Sequence, residues 1–356
     1  MSILWVAAVL WVILGSVILY FSLSARTLIH ACEREITAGT LRNEFLPFAR
    51  RDFKDLPSLW MFVVRAFTVG PLSFLTVVSG LISASLSSMI LPAALLPWAM
   101  ALISYWICLG FGVVIKERGK RAKLSEAPCV VANHGSACDI IVLLTKRVSF
   151  VSMEGVKDLY FIGRVARALG CIFVSRDSKE SRSVAKQAII DRLRGQMNGT
   201  CSEKNPLIVF PEGSTNNGHY LLEFRRGAFE PKTPVQPLRI EYSDYHANFT
   251  VLAFLELGAL CMVLPGREVM LHWMPVIQPA DSPEETAALA RKAIAQVPSA
   301  YNRAPVALTD AGVSHRDAIA CADYMRAKSN SSIDFSMFKK LAMVLSSGIF
   351  FSSPIV

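Results

Sequence analysis

From Cys129 onward the chain keeps one rhythm: a short β-branched or apolar run, a polar turn, then a longer stretch with helical spacing. Strand-like runs fall at 129–132, 148–152, 171–175, 207–210, 235–240 and 269–274, and helical stretches at 158–169, 181–197 and 284–295. Strands joined through helices run parallel and have both faces covered. The rhythm therefore specifies an α/β fold, a mostly parallel sheet with flanking helices. Open sheets of this kind place their chemistry where strands end and turns begin.

What precedes this part is of a different nature. Of the 356 residues 53% are hydrophobic and only 18% charged, against about 25% charged in an average soluble domain; the mean hydropathy is +0.40. Residues 3–23 are almost unbroken apolar sequence, the length that crosses ~30 Å of hydrocarbon. A segment opening Met-Ser-Ile-Leu-Trp lacks the basic start of a cleaved signal peptide, so it reads as a signal anchor. Residues 59–115 are apolar again, with 67–91 and 95–114 each long enough to span and Pro92 and Pro97 at the turn; a crossing hairpin and a re-entrant wedge both fit. The expected organisation is an anchor helix (1–25), a cytosolic linker (26–58), a hydrophobic hairpin (59–115), a catalytic domain (116–300) and a tail (301–356). Residues 249–264 are apolar but short and carry Glu256, which suits a buried or membrane-lying helix.

The net charge is +9. Arg26, Arg34, Arg42, Arg50, Arg51 and Lys54 follow the first span, and Lys116, Arg118, Lys120, Arg121 and Lys123 follow the hairpin. By the positive-inside rule both polar regions face the cytosol, and the charge suits an anionic bilayer surface. No zinc-finger, RRM-like or helix-turn-helix pattern supports nucleic acid as a partner. The eight cysteines are scattered without a C-x2-C pair, and the six histidines have no metal-ligand spacing, so neither a metal nor a resident cofactor is expected.

Chemistry concentrates in Asn133-His134-Gly135-Ser136-Ala137-Cys138-Asp139, directly after the 129–132 run. An imidazole takes a proton from an alcohol when its far nitrogen is held by a partner that fixes the tautomer. Five residues along an ideal helix would put His134 and Asp139 on different faces. His134 must then lie in the turn before the helix, with Asp139 reaching back from the first helical turn. No Ser or Cys stands at a nucleophile elbow, which leaves a substrate hydroxyl to attack directly.

Three further blocks follow in order: Gly170-Cys171-Ile172-Phe173-Val174-Ser175-Arg176, then Phe210-Pro211-Glu212-Gly213-Ser214-Thr215, then Pro234-Val235-Gln236-Pro237. Together with the first they resemble the glycerophospholipid acyltransferase family, with its N-H-x4-D, G-x-x-F-[IV]-x-R, F-P-E-G-[ST] and V-x-P motifs; the resemblance covers roughly 123–279. It implies acyl transfer from acyl-CoA, a co-substrate, to the sn-2 hydroxyl of a lysophospholipid at an internal membrane such as the endoplasmic reticulum, with no bound cofactor. His134 would be the general base and Asp139 its orienting partner. Backbone amides around Gly135 and Ser136 are candidate donors to the oxyanion, with Asn133 beside them. Arg176 matches the family's lipid-phosphate contact, a task suited to a guanidinium, with Gly170 opening its motif. Glu212, Gly213, Ser214 and Thr215 match the acceptor-binding block, where glycine allows close backbone approach. Arg225 and Arg226 either extend a basic lining or are solvated surface charges.

Two departures refine the resemblance. Ala137-Cys138 replace the usual bulky pair before the motif Asp, which bears on acyl-chain packing. Phosphatidate-forming members tend to read E-G-T-R-S, whereas this chain reads Glu212-Gly213-Ser214-Thr215-Asn216-Asn217 and lacks that Arg. It looks more like the acyltransferases for lysophosphatidylcholine and lysophosphatidylethanolamine. A lysophosphatidic acid or glycerol-3-phosphate acyltransferase is the alternative, and a CoA-independent transacylase a further one. Sequence leaves the oligomeric state open.

Overall fold

In the computed structural model the described residues are 3–158, 160–174, 179–248, 250–264, 266–304, 306–309 and 313–329. Arg176 and the tail beyond 329 lie outside them. Along the chain run α1 (Ile3–Thr37), α2 (Leu59–Phe67), α3 (Val69–Ile90), α4 (Leu96–Gly110), β1 (Val113–Arg118), β2 (Cys129–Ala132), α5 (Cys138–Leu144), β3 (Ser149–Met153), α6 (Glu154–Lys157), α7 (Tyr160–Ala168), β4 (Ile172–Val174), α8 (Lys179–Met197), β5 (Leu207–Val209), β6 (Tyr220–Leu221), β7 (Val235–Tyr242), α9 (Phe254–Val263), β8 (Arg267–Trp273), α10 (Pro283–Gln296), β9 (Ala307–Leu308) and α11 (His315–Lys328).

The main sheet has the order β1-β8-β7-β2-β5-β3-β4, and β6 pairs with β9 separately. Five strands, β7 to β4, run parallel; β8 pairs antiparallel to β7, and β1 follows β8 in parallel. The fold is thus the expected mostly parallel α/β sheet with flanking helices. One strand was hidden by composition. The apolar run ending at 114 reads as helix, yet Val113–Arg118 turns out of α4 into the sheet edge. Gly112 makes that turn, with φ +65° and Gly266 packed where a Cβ would stand.

The sheet separates two cores. On one face Val130, Ala132, Leu238, Ile240 and Tyr242 pack with Val142 and Leu143 of α5 and Cys108 of α4. On the other, Cys129, Val131 and Val235 pack with Leu193 of α8 and Ala290 and Ile294 of α10. Alternate residues of a strand point to opposite faces, and β7, covered on both sides, is buried at every position. Its neighbour α10 starts where Ser282 accepts from Glu285 N (3.1 Å), with Pro283 in the first turn.

A third core joins α1, α9, α11 and the segment 45–49. Here α9 answers the question of 249–264: it is a ten-residue buried helix, with Glu256 fully buried. Burying a carboxylate requires partners, and Glu256 accepts from Ser24 Oγ (2.6 Å) and Arg326 Nη2 (2.9 Å). Two helices, α1 and α3, are long and apolar enough to cross a membrane. Many large apolar side chains of α1, α3 and α4 face outward, among them Trp5, Leu10, Leu72, Ile82, Trp98 and Leu102.

The basic segment after α1 is less free than its composition implies. Arg50 is buried and pairs with Asp52 (2.5 Å and 2.8 Å), and Asp52 also meets His246 Nδ1 at 2.7 Å. The Arg50 guanidinium holds the Asp52 carboxyl well below the usual carboxylate range, despite burial. The charge of Arg50 is therefore neutralised internally and does not face a membrane surface.

Candidate active site

The site begins where β2 leaves the sheet. There Asn133 continues the ladder with its side chain: Nδ2 donates to Ile240 O (3.0 Å) and Oδ1 accepts from Ile240 N (2.7 Å). The backbone bonds of β7 are satisfied by an amide side chain, which frees the main chain of 134–137 to turn. Asn133 is thus a fastener of the turn.

Asp139 lies in the first turn of α5, with no exposed surface. Its Oδ2 accepts from His134 Nδ1 (2.9 Å), Gly135 N (3.0 Å) and Ser136 N (2.9 Å), and its Oδ1 from Tyr242 Oη (2.8 Å). The expected geometry is present: the imidazole stands before the helix and the carboxylate reaches back. Burial, then the charge of Asp139, raises the Tyr242 phenol well above its usual range, which keeps it a donor. Sequence reasoning missed Tyr242, for nothing in its neighbourhood marks a tyrosine 103 positions away.

The amides of Gly135 and Ser136 correct an expectation. Both point at Asp139, so in this structure they orient the carboxylate and are not free donors for an oxyanion. The Ser136 hydroxyl, fully buried, donates to Ala247 O and accepts from Cys138 N (3.0 Å). The His134 ring, 19% exposed, stacks on Phe210 at 4.1 Å and 15°. Its Nε2 has no hydrogen-bond partner among the described residues. An imidazole clamped at Nδ1, with Nε2 open and one face on a phenyl ring, is set to take a proton from a hydroxyl.

The F-P-E-G-S-T block supplies the second carboxylate. Glu212 is buried; Oε1 accepts from His134 N (2.8 Å), and Oε2 from Asn216 Nδ2 (2.7 Å) and Leu222 N (2.8 Å). In return Asn216 N donates to His134 O (3.1 Å). Glu212 therefore bolts its block to the backbone of His134. Burial pushes its carboxyl up to about 8, against three N–H donors that favour the ionised form.

The other predicted residues divide. Gly213 has φ +71°, and a Cβ there would meet Arg225 Nε at 2.9 Å; the glycine makes room for Arg225, whose N donates to Pro211 O (2.9 Å). So Arg225 does join this block, at its exposed side. Arg226 is exposed and pairs with Glu230 and Glu284. Buried Ser214 meets His315 Nδ1 of α11 at 3.1 Å, and half-buried Thr215 supplies a carbonyl to Ser214 Oγ (3.3 Å). Gly170 ends the turn after α7 with φ +69°, donating to Arg167 O. Its open side is filled by Glu203 and Arg192, so it serves a helix stop. Arg176 lies outside the described residues.

Sequence also missed the strap under the site. Asn217 N donates to Pro47 O (2.8 Å), and Asn217 Nδ2 to Leu46 O (2.8 Å) and Ala49 O (2.7 Å). Arg50 Nη1 donates to Asn248 O, and Asn248 Nδ2 to Asn217 O. The segment after α1 is thereby knitted to both loops beside His134. Among the described residues no cluster of three or more His, Cys, Asp or Glu could hold a metal ion.

Comparison with known proteins falls on this same region. The Acyltransferase family model matches residues 114–241. Lysophospholipid acyltransferase LPEAT2 of Arabidopsis thaliana is 30% identical over 194 residues, covering 53% of this chain and 35% of the relative. Lysophosphatidylcholine acyltransferase 2 of Rattus norvegicus is 34% identical over 179 residues, 49% of this chain and 32% of the relative. The chain thus spans about a third of the length of these curated relatives. Among solved structures, the 1-acyl-sn-glycerophosphate (LPA) acyltransferase PlsC from Thermotoga maritima aligns with TM-score 0.47 and 18% identity, over 63% of this chain and 91% of that one. The matched segment, which is similar to the acyltransferase family, holds His134, Asp139, Glu212 and the strand that fastens Asn133.

Proposed function

We propose that this protein is a membrane-bound 1-acylglycerophospholipid O-acyltransferase that moves a fatty acyl group from acyl-CoA to the sn-2 hydroxyl of lysophosphatidylcholine or lysophosphatidylethanolamine. The observation that carries the reading is the clamped imidazole: Nδ1 held at 2.9 Å by a buried Asp139, with Nε2 open. His134 Nε2 removes the proton as the acceptor oxygen attacks the thioester carbon. The tetrahedral intermediate then expels the CoA thiolate, which receives the proton from the imidazolium. Asp139 stabilises that imidazolium and fixes its tautomer. A positioned base of this kind contributes roughly 10²–10⁴ in rate.

Relatives named for lysophospholipids and lysophosphatidylcholine support the acceptor class, as does Thr215 where phosphatidate-forming members tend to carry Arg. The outward apolar surfaces of α1, α3 and α4 support attachment to a bilayer. The basic cluster after α4 supports a cytosolic site, at the endoplasmic reticulum. His134 lies on the same sheet face as α4 and α5, so an acyl chain in the bilayer approaches from that side.

The test uses membranes containing the wild type or His134→Ala, labelled acyl-CoA and a panel of lysophosphatidylcholine, lysophosphatidylethanolamine, lysophosphatidic acid and glycerol 3-phosphate. The expected result is His134-dependent labelling of the choline or ethanolamine lipid. Labelling of lysophosphatidic acid alone would overturn the acceptor assignment. Acyl transfer between phospholipids without acyl-CoA would make the protein a transacylase.

A further inference from the structure

The chain after α10 lies beyond the matched region 114–241, yet it returns to the block that grips His134. It does so at two points. First, β9 pairs in parallel with β6, Ala307 opposite Tyr220 and Leu308 opposite Leu221. Leu222, which follows β6, gives its N–H to Glu212 Oε2 at 2.8 Å. Arg291 of α10 closes β6 onto the end of β9, its Nη2 donating to Leu221 O (2.6 Å) and Thr309 O (2.9 Å). On the way into β9, Arg303, Ala304 and Val306 wall the cleft behind the Asn133–Gly135 turn together with Tyr220 and Leu221.

Second, α11 begins at His315, whose Nδ1 meets Ser214 Oγ at 3.1 Å. Ser214 is buried. It lies midway between the two residues that hold the backbone of His134: Glu212, which accepts from its N–H, and Asn216, whose N–H donates to its carbonyl. The loop 212–216 is therefore tied to His134 at both ends and to α11 at its middle.

The helix is a firm support for that tie. At its start Asp317 Oδ2 accepts from Ser314 N (2.7 Å) and Ser314 Oγ (2.8 Å). Cys321 and Met325 are fully buried in the core shared with α1 and 45–49. Arg326 Nη2 donates to buried Glu256 of α9 (2.9 Å), and Tyr324 Oη to Glu35 of α1 (2.6 Å). A side chain fixes the geometry of a site when its own support is locked by packing and hydrogen bonds.

We propose that the C-terminal part of the chain, through β9 and α11, is a working part of the acyl-transfer site, with His315 as a positioning residue. His315 acts through Ser214 on the loop 212–216, and through that loop on the His134 backbone, not on the reacting atoms. A misplacement of about 1 Å can cost as much as 10²-fold in rate, and bonds to both the N–H and the carbonyl of His134 give the loop that leverage. The inference rests on the role given to His134 for its effect on rate, whereas the mechanical coupling does not.

His315→Ala, Ser214→Ala and the double variant test it in the full chain, in neutral detergent, by two readouts. Hydrogen–deuterium exchange reads the coupling without any activity. Each single variant should speed exchange in peptides covering 212–216 and 134–136 by roughly three- to tenfold, the worth of one hydrogen bond, with β3 unchanged. Initial rates with labelled acyl-CoA and the acceptor found for the wild type read the consequence. There kcat should fall by a similar factor while both KM values stay within about twofold. The double variant should lose no more than either single one, since all remove the same contact. His315→Gln, whose amide both donates and accepts, should recover part of the rate, and Arg316→Ala, exposed on the same turn of α11, should match the wild type. Ser214→Ala carries the test should His315→Ala not fold. Unchanged exchange at 212–216 and 134–136, an unchanged kcat beside an active wild type, or losses that multiply in the double variant would overturn the inference. Faster exchange with no acyl transfer by the wild type would uphold the coupling and overturn the assigned reaction instead.

Discussion

The two faces of the sheet at the end of β2 treat polar groups in opposite ways. On the α5 face, Asp139 draws four donors onto one carboxylate and Glu212 draws three, so each buried acceptor is matched within the protein. Behind the Asn133–Gly135 turn, Arg303 has no carboxylate or carbonyl partner among the described residues, and Arg51 Nε, His219 Nε2 and Tyr301 Oη are buried without a hydrogen-bond partner. A group that must hold one geometry through many turnovers is fixed by its own protein. Satisfaction thus sets the preorganised catalytic turn apart from the cleft behind it, although both share the Asn133–Gly135 backbone.

The sharpest way to break this contrast is to remove the base. His134→Ala should lower acyl transfer by up to roughly 10⁴-fold with the acceptor KM little changed, read from initial rates with labelled acyl-CoA; retained rate would remove the α5 face from the chemistry. Asp139→Asn comes next, on the order of 10²–10³-fold. An amide in place of that carboxylate turns a donor toward one set of N–H groups and cannot stabilise the imidazolium. A KM effect without a rate effect would reassign Asp139 to substrate binding.

Glu212→Gln sharpens the comparison through pH. The Glu212 carboxyl is raised from 4.5 to about 8 in the native state. Between those values the native protein holds a proton that the unfolded chain has released. This contribution to stability is complete below 4.5 and is lost as pH rises toward 8. Urea midpoints of the wild type should carry that decline, and Glu212→Gln should flatten it while costing about tenfold or more in rate, since one amide N–H must now face donors. An unchanged pH slope would mean that Glu212 is ionised across the range.

The smallest expected effect is Tyr242→Phe. It removes one of four donors to Asp139 and leaves the others, so stability should fall by about 1.5–3 kcal/mol, with a rate loss under about tenfold. A larger kinetic loss would show that the hydroxyl positions the His134–Asp139 pair more tightly than the three N–H groups do.

The chemistry-bearing residues were legible because they are local. His134 and Asp139 fall within one turn of chain, and the requirement that the carboxylate reach back from the helix follows from helical spacing alone. The parallel sheet was legible for a related reason, since β-branched runs alternating with helical ones have few ways to bury both faces. Edge strand β1 was not legible, because Val113-Val114-Ile115 continues the composition of α4 and only the turn at Gly112 separates them. Gly135 and Ser136 suited oxyanion donors by position, but their N–H groups go to Asp139, and no local pattern announces that choice.

What the sequence by itself determined is the chain's periodicity, its apolar segments and the order of its motifs, all carried by spacing between near neighbours. The tertiary structure alone decided that Tyr242 completes the Asp139 shell, that Glu212 bolts one motif to the backbone of another, and that 46–50 straps the loops beside His134. It alone decided also that His219 and Arg303 both pack on the Tyr245 ring. The physical reason is common to all four. A buried polar group takes whichever partner the packed chain delivers within about 3 Å, and separation along the chain says nothing of which partner that will be.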